Sequence, residues 1–313
     1  MKLAVLSGKG GTGKTLVSVN LAAVAGNAAY YDCDVEEPNG HLFFKPENVT
    51  EKTVFVKTPE IDVDDCIGCR KCADFCKFNA IAVIGEKAMV FPDVCHPCGG
   101  CMMVCPQNAI FETERPIGKI AQGVSEDVTV TSGILNMGEE SGVPIIRTLL
   151  RDMKANPNDF TVIDCPPGSA CVVMESIIDA DFCILVAEPT VFGVHNLNMV
   201  YELVQLFGKP YGVVLNKCLD GENPAEVFCT EHNIPILGRI PFDTELGRLN
   251  SNSEIVSRID EKYHKLFTCI LRQGRRRCSN ETITDFKRKR RHRQNHGGQC
   301  VCKIIADTGF CRL

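Results

Sequence analysis

The sequence predicts a mostly parallel α/β sheet with helices on both faces, interrupted by a small cysteine-rich insertion. Three observations carry that expectation. Short runs rich in Val and Ile alternate with helix-period segments along most of the 313 residues. A glycine string, "SGKGGTGKT" at residues 7–15, joins the first apolar run to the first helical segment. Eight of the nineteen cysteines crowd between Cys66 and Cys105.

In chain order, "KLAVLS" is the first strand and "TLVSVNLAAVAG" the helix after the glycines. "AAYYD" is a second strand ending in Asp32, and "TVFVK" a third. Beyond the cysteines, "DVTVTS", "FTVID", "DFCILVAEP" and "YGVVLNK" read as strands, with helices such as "PIIRTLLRDMKAN" and "HNLNMVYELVQLFG" between them. Continuous apolar strands alternating with helices call for a parallel sheet buried on both faces. The last helix, "EIVSRIDEKYHKLFTCIL", repeats Ile255, Ile259, Tyr263, Leu266 and Ile270 near helical spacing. That face is expected to pack on the core rather than lie on a membrane.

Composition narrows the classes. At 44% hydrophobic residues the chain can bury a sizeable core, and a net charge of −5 gives no general reason to expect nucleic acid. No apolar run reaches membrane-spanning length, and residue 1 leads straight into a strand, which points to the cytoplasm. Nineteen cysteines are too many for a reducing compartment unless they hold metal. From Ile270 on, twelve Lys or Arg stand against three Asp or Glu, so residues 271–313 are expected to form a basic, disordered tail. The pair Cys300 and Cys302 within it is weak evidence for metal.

The glycine string carries the first chemistry. Gly8, Gly10, Gly11 and Gly13 let backbone N–H groups wrap phosphates, helped by Thr12 and by the helix N-terminus. Lys14 should reach the β- and γ-phosphates, and the Thr15 hydroxyl should bind Mg²⁺. The string KGGTGKT resembles the deviant Walker A loop of the MinD/ParA superfamily of P-loop ATPases, which includes the nitrogenase iron protein and the Mrp-type iron–sulfur carriers. The resemblance implies a P-loop NTPase sheet. It also implies a role for the second lysine, Lys9, which would cross the interface of an ATP-dependent homodimer to the partner's phosphates. It further implies that Asp34 positions the attacking water, that Asp164 holds Mg²⁺ through water, and that Gly168 begins the second switch segment. Asn216 would read adenine, and Pro241 and Phe242 would close over the base. Asp32 is expected to order the strand end.

The cysteines carry the second chemistry. Cys66, Cys69, Cys72 and Cys76 read C-x2-C-x2-C-x3-C, and Cys95, Cys98, Cys101 and Cys105 repeat the pattern 29 residues on, as "NAI" recurs at Asn79 and Asn108. This duplication resembles a bacterial two-cluster ferredoxin, an α+β domain inserted at about residues 60–115 of an ATPase that occupies 1–59 and 116–270. The resemblance implies two [4Fe–4S] clusters and a crossed ligand assignment. One cluster would use Cys66, Cys69, Cys72 and Cys105, and the other Cys95, Cys98, Cys101 and Cys76. Lys77 stands where the ferredoxin pattern has proline, which removes no ligand. Zinc, the alternative for Cys-x2-Cys pairs, does not account for four-cysteine runs of this spacing.

Cys33, Cys165, Cys171, Cys183, Cys218 and Cys229 are expected to behave as small apolar residues. Cys165 follows Asp164, near where the nitrogenase iron protein bridges its subunits with a cluster, but the spacing differs. His96, between two spaced cysteines, is expected to be a surface histidine rather than one that tunes a cluster potential, and His41 and His195 are given no role. The expected activity is ATP hydrolysis coupled to electron transfer with an unidentified redox partner. The alternative is ATP-controlled delivery of a cluster to a client protein. A MinD/ParA-like positioning ATPase ranks below both, since positioning needs no redox centre.

Overall fold

The structure is a computed structural model that describes residues 1–293, with side chains described through Ser279. In chain order its strands and helices are β1 (Lys2–Leu6), α1 (Lys14–Ala25), β2 (Ala28–Asp32), α2 (Gly40–Phe44), β3 (Glu47–Ile61), α3 (Lys71–Phe75), β4 (Ile81–Ile84), β5 (Lys87–Val90), α4 (Gly100–Met103), β6 (Ile110–Ser125) and β7 (Val128–Leu135). They continue as α5 (Val143–Ala155), β8 (Thr161–Asp164), α6 (Cys171–Ile177), β9 (Phe182–Ala187), α7 (Val191–Leu206), β10 (Tyr211–Cys218), α8 (Pro224–Glu231), β11 (Ile236–Pro241), α9 (Thr244–Ser251), α10 (Val256–Ile259) and α11 (Glu261–Arg293).

Nine strands form one sheet in the order β11-β10-β9-β1-β8-β2-β7-β6-β3. The run from β11 to β7 is parallel throughout, and β6 pairs antiparallel with β7. The expected parallel sheet is therefore present. Apart from Lys2 at the start of β1, the central strands are buried along their whole length, as parallel strands covered by helices must be. Register lines up their carboxyl ends: Asp164 lies beside Val5 on one side and Asp32 on the other. Ligands of open α/β sheets bind at this edge, where strand order reverses around the first strand.

The chain divides into two compact units. The first comprises Met1–Phe55 and Pro116–Cys278, and the second is built on Val56–Arg115. The second unit folds as its own duplication. Helices α3 and α4 each follow a residue in the left-handed region, Arg70 and Gly99. Asn79 and Asn108 share φ near +53°, at 54° and 52°. The Asp62 N–H donates to the Ala109 carbonyl and the Phe91 N–H to the Ala80 carbonyl, each at 2.8 Å. Those two bonds are equivalent under the 29-residue repeat but run in opposite chain order, so each half completes the other.

The C-terminal region differs from expectation. The single helix expected near residue 260 is two, because Asp260 takes an extended conformation between α10 and α11. Ile255, Tyr263 and Ile270 are buried as foreseen, Leu266 is partly buried and Ile259 is half-exposed; Phe267, which the spacing did not single out, is fully buried. The tail does not begin at residue 271. Helix α11 runs on to Arg293, with Leu271 buried, the Arg275 guanidinium 4.6 Å over the Phe160 ring, and Cys278 packed on the core. As far as Cys278, packing on the core overrides the low apolar content that suggested disorder. Residues 294–313, with Cys300 and Cys302, lie outside the described residues.

Candidate functional site: a phosphate loop and two cysteine cavities

The glycine string is the turn between β1 and α1. Gly13 sits at φ +94° as the cap of α1, and a Cβ there would fall 2.1 Å from the Asn216 amide nitrogen. Gly8 is as restricted: a Cβ would fall 2.1 Å from the Asn196 carbonyl oxygen of α7. The loop is braced from below. The Asn216 amide donates to the Thr12 carbonyl at 2.7 Å, and the Lys217 ammonium to the Gly11 carbonyl at 2.9 Å. The Gly168 N–H donates to the Ser7 carbonyl at 2.9 Å, tying the segment after β8 to the loop.

A cavity of about 580 Å³ opens over this loop. Gly10, Gly11, Gly13, Lys14 and Thr15 line it with Asp34, Glu36, Glu37, Pro166 and Pro167. At its base the Lys14 ammonium donates to Asp164 Oδ1 at 2.8 Å and lies 3.5 Å from Asp34 Oδ2. Burial works against the Lys14 charge, but Asp164, Asp34 and Asp32 outweigh it and raise the pKa above the usual lysine value. Tyr30 donates its hydroxyl to Asp164 Oδ2 at 2.9 Å. Asp32 accepts the Gly40 N–H at 2.9 Å and the Asp34 N–H at 3.1 Å. It therefore orders the strand end, as expected, and pins both ends of the Asp34–Gly40 segment. Burial, then the nearby Asp164 charge, pushes its carboxyl up to about 7. Chemically, the site offers N–H groups and an ammonium to an anion, beside carboxylates suited to a hydrated divalent cation.

Lys9 points elsewhere. It does not line the cavity, is 41% exposed, and pairs with Glu188 of its own chain at 2.9 Å. Lys217 meets the same carboxylate at 2.5 Å. Burial opposes the Glu188 charge, but the bonds from Lys217 and Lys9 hold its carboxyl below the usual glutamate range.

The eight spaced cysteines surround two further cavities. One, of about 20 Å³, is lined by Cys66, Cys69, Cys72 and Cys105, and the other, of about 360 Å³, by Cys76, Cys95, Cys98 and Cys101. Burial pushes the Cys95 thiol up to about 11, and its acidic neighbours are Cys101, Cys76 and Cys98. Among the described residues, no three or more His, Cys, Asp or Glu side chains are drawn together as one metal ion requires. The thiols instead stand around a volume, and four thiolates in an apolar wall are the donor set of an iron–sulfur cluster rather than of a hard cation.

Residues 3–256 match the CobQ/CobB/MinD/ParA nucleotide-binding domain. The chain belongs to that family. An uncharacterised protein of Methanocaldococcus jannaschii is 33% identical over 279 residues, spanning 85% of this chain and 96% of its own length. An iron–sulfur cluster carrier protein of Pyrococcus horikoshii is 26% identical over 264 residues, 77% of this chain and 74% of its own. The septum site-determining protein MinD of Pyrococcus horikoshii, solved with Mg-ADP, shares the fold at a TM-score of 0.53 and 19% identity, over 86% of this chain and 93% of that one. No helix among the described residues is long and apolar enough to cross a membrane.

Within this MinD/ParA-type domain, most expected loop residues meet at one cavity, but the expected base-reading residues do not join them. Asn216 is 2% exposed, with its amide nitrogen committed to the loop. Pro241 closes β11, and Phe242, with 60% of its surface open, donates its N–H to the Cys218 carbonyl at 2.8 Å. Tyr30, Glu188 and Lys217 had no assignment from the sequence. Each acts through a partner distant in the chain, and no local pattern announces such a pairing. Cys33, Cys165, Cys183 and Cys229 are buried as expected, Cys218 is half-buried, and Cys171 is exposed.

Proposed function

We propose that this protein hydrolyses ATP and couples that reaction to electron transfer through two [4Fe–4S] clusters. The carrying observation is that each crossed set of four cysteines surrounds its own cavity in a chain that also presents a two-lysine phosphate loop. Cys66, Cys69, Cys72 and Cys105 would hold one cluster, and Cys76, Cys95, Cys98 and Cys101 the other. Such clusters exchange single electrons. Lys14 and the loop N–H groups would bind the ATP phosphates, with Thr15 and Asp164 on Mg²⁺ and Asp34 orienting the water that attacks the γ-phosphate. Pro241 and the open Phe242 ring would border the base, with Asn216 supporting the loop behind it. Lys9 would leave Glu188 for the partner's phosphates in an ATP-dependent homodimer, where its charge counters the charge developing on the leaving oxygens.

A second reading, ATP-controlled delivery of a cluster to a client protein, draws on the carrier proteins among the relatives. Anaerobic protein should hold about eight irons per chain. EPR spectra of the reduced protein should change on adding ATP, and the iron should stay bound through repeated turnover. Lys14→Ala should abolish ATP binding and the spectral change together. Lys9→Ala should bind ATP, keep its iron and fail to dimerise. Zinc without iron would sink the cluster reading. Loss of iron to an apo-ferredoxin during turnover would favour delivery over electron transfer.

A further inference from the structure

A tyrosine hydroxyl in the interior of a parallel sheet carries a cost unless it is hydrogen-bonded. Tyr30 is fully buried, and its hydroxyl is not left without a partner. It donates to Asp164 Oδ2 at 2.9 Å, while Lys14 takes Oδ1 at 2.8 Å. Asp164 is itself 1% exposed. A carboxylate so enclosed is set in orientation by the donors it accepts from, and here the two oxygens have separate donors.

The ring of Tyr30 has a second set of contacts. It lies 5.0 Å from the Phe44 ring in α2. A Cβ on Gly40 would fall 2.3 Å from its Cε1 and 2.5 Å from its hydroxyl oxygen. Gly40 is where the Asp34–Gly40 segment enters α2, and its N–H is fixed to Asp32. Tyr30 thus touches the Asp34–Gly40 segment with its ring and the Asp164 carboxylate with its hydroxyl.

We propose that Tyr30 is a positioning residue for the nucleotide site, fixing the rotation of Asp164 so that Oδ1 faces the phosphate loop, and linking that setting to the Asp34–Gly40 segment. This rests on reading the site as one for ATP and Mg²⁺. When Lys14 turns to phosphate, Oδ1 becomes free to accept from water on the cation while Tyr30 keeps Oδ2.

The test is Tyr30→Phe in the full chain, which keeps the ring and removes the hydroxyl. Binding of a fluorescent ATP analogue without Mg²⁺ should stay within about twofold of wild type. The Mg²⁺ concentration for half-maximal hydrolysis should rise about tenfold, and kcat should fall to a similar degree with KM for the Mg²⁺ nucleotide nearly unchanged, the usual scale for losing an outer-shell partner. Gly40→Ala, which presses a methyl onto the same ring with the hydroxyl intact, should raise the Mg²⁺ requirement in the same direction. An unchanged Mg²⁺ requirement in Tyr30→Phe overturns the positioning role, and one in Gly40→Ala overturns the link to the Asp34–Gly40 segment. Wild-type protein that hydrolyses ATP without any dependence on Mg²⁺ overturns the site reading itself, a result seen before either variant is made.

Discussion

At the scale of single residues, the nucleotide site gathers charge that would be unfavourable anywhere else. Asp32 and Asp164 lie side by side at the ends of neighbouring strands, both almost fully buried, with Lys14 donating to Asp164. A buried carboxylate survives only with donors around it, and Asp32 has two backbone N–H groups. Its stability contribution has a definite sign. The carboxyl ionises near 3.8 in the unfolded chain and near 7 when folded, so between those values the folded protein holds a proton the unfolded chain has lost. Stability from this group is fully present below the lower value and falls as pH rises through the upper one. Relative to Asp32→Asn, the wild-type protein should therefore lose roughly 2 kcal/mol between pH 5.5 and 7.5, since a tenfold difference in proton affinity is worth about 1.4 kcal/mol. Anaerobic urea denaturation at the two pH values, without nucleotide, measures this. A difference between the proteins that does not change with pH would show that Asp32 is ionised throughout.

At the scale of elements, α11 shows how packing extends a helix beyond its apolar content. Its first turn is held by the Tyr263 hydroxyl and the Lys262 ammonium, which donate to Asp243 at 2.8 and 2.6 Å, and Asp243 also caps α9. These donors hold the Asp243 carboxyl well below the usual range. Tyr263, Phe267, Ile270 and Leu271 then bury one face, at about 1.5–3 kcal/mol for each large side chain. Beyond them, Arg275 over Phe160 and Cys278 still touch the core. Two truncations separate the parts. Removing residues 280–313 should leave the melting temperature and iron content nearly unchanged. Removing residues 274–313 should cost about 1–2 kcal/mol, chiefly the cation–π contact and the Cys278 packing, and lower the melting temperature by several degrees. Equal melting temperatures for the two truncations would show that the second part of the contact surface contributes nothing.

At the scale of the whole molecule, the proposed cluster chemistry shares a chain with the nucleotide-binding domain, and the crossed cysteine sets make it testable unit by unit. In a duplicated fold whose halves complete each other, each cavity draws its fourth thiol from the other half's motif. Cys69→Ser and Cys105→Ser should therefore damage the same cluster although their residues lie in different repeats. Cys98→Ser and Cys76→Ser should damage the other. Iron analysis and EPR of the four anaerobic variants should sort them into those two pairs, each losing about half of the iron. Sorting by repeat instead, Cys69 with Cys76 and Cys98 with Cys105, would overturn the crossed assignment.

The sequence by itself determined what is local or periodic. The glycine string, the strand ends at Asp32 and Asp164, and the cysteine spacing are short-range patterns, and a parallel α/β sheet follows from continuous apolar runs alternating with helices. The tertiary structure alone decided which side chains meet. Asn216 turned its amide to the Thr12 carbonyl, 204 residues away, and Lys9 found Glu188 in its own chain. Tyr30 and Asp164, 134 residues apart, became partners because their strands are adjacent. The physical reason is the same in each case. A buried polar group takes whichever partner the fold brings within reach, and that depends on strand order and register, which no short stretch of sequence encodes.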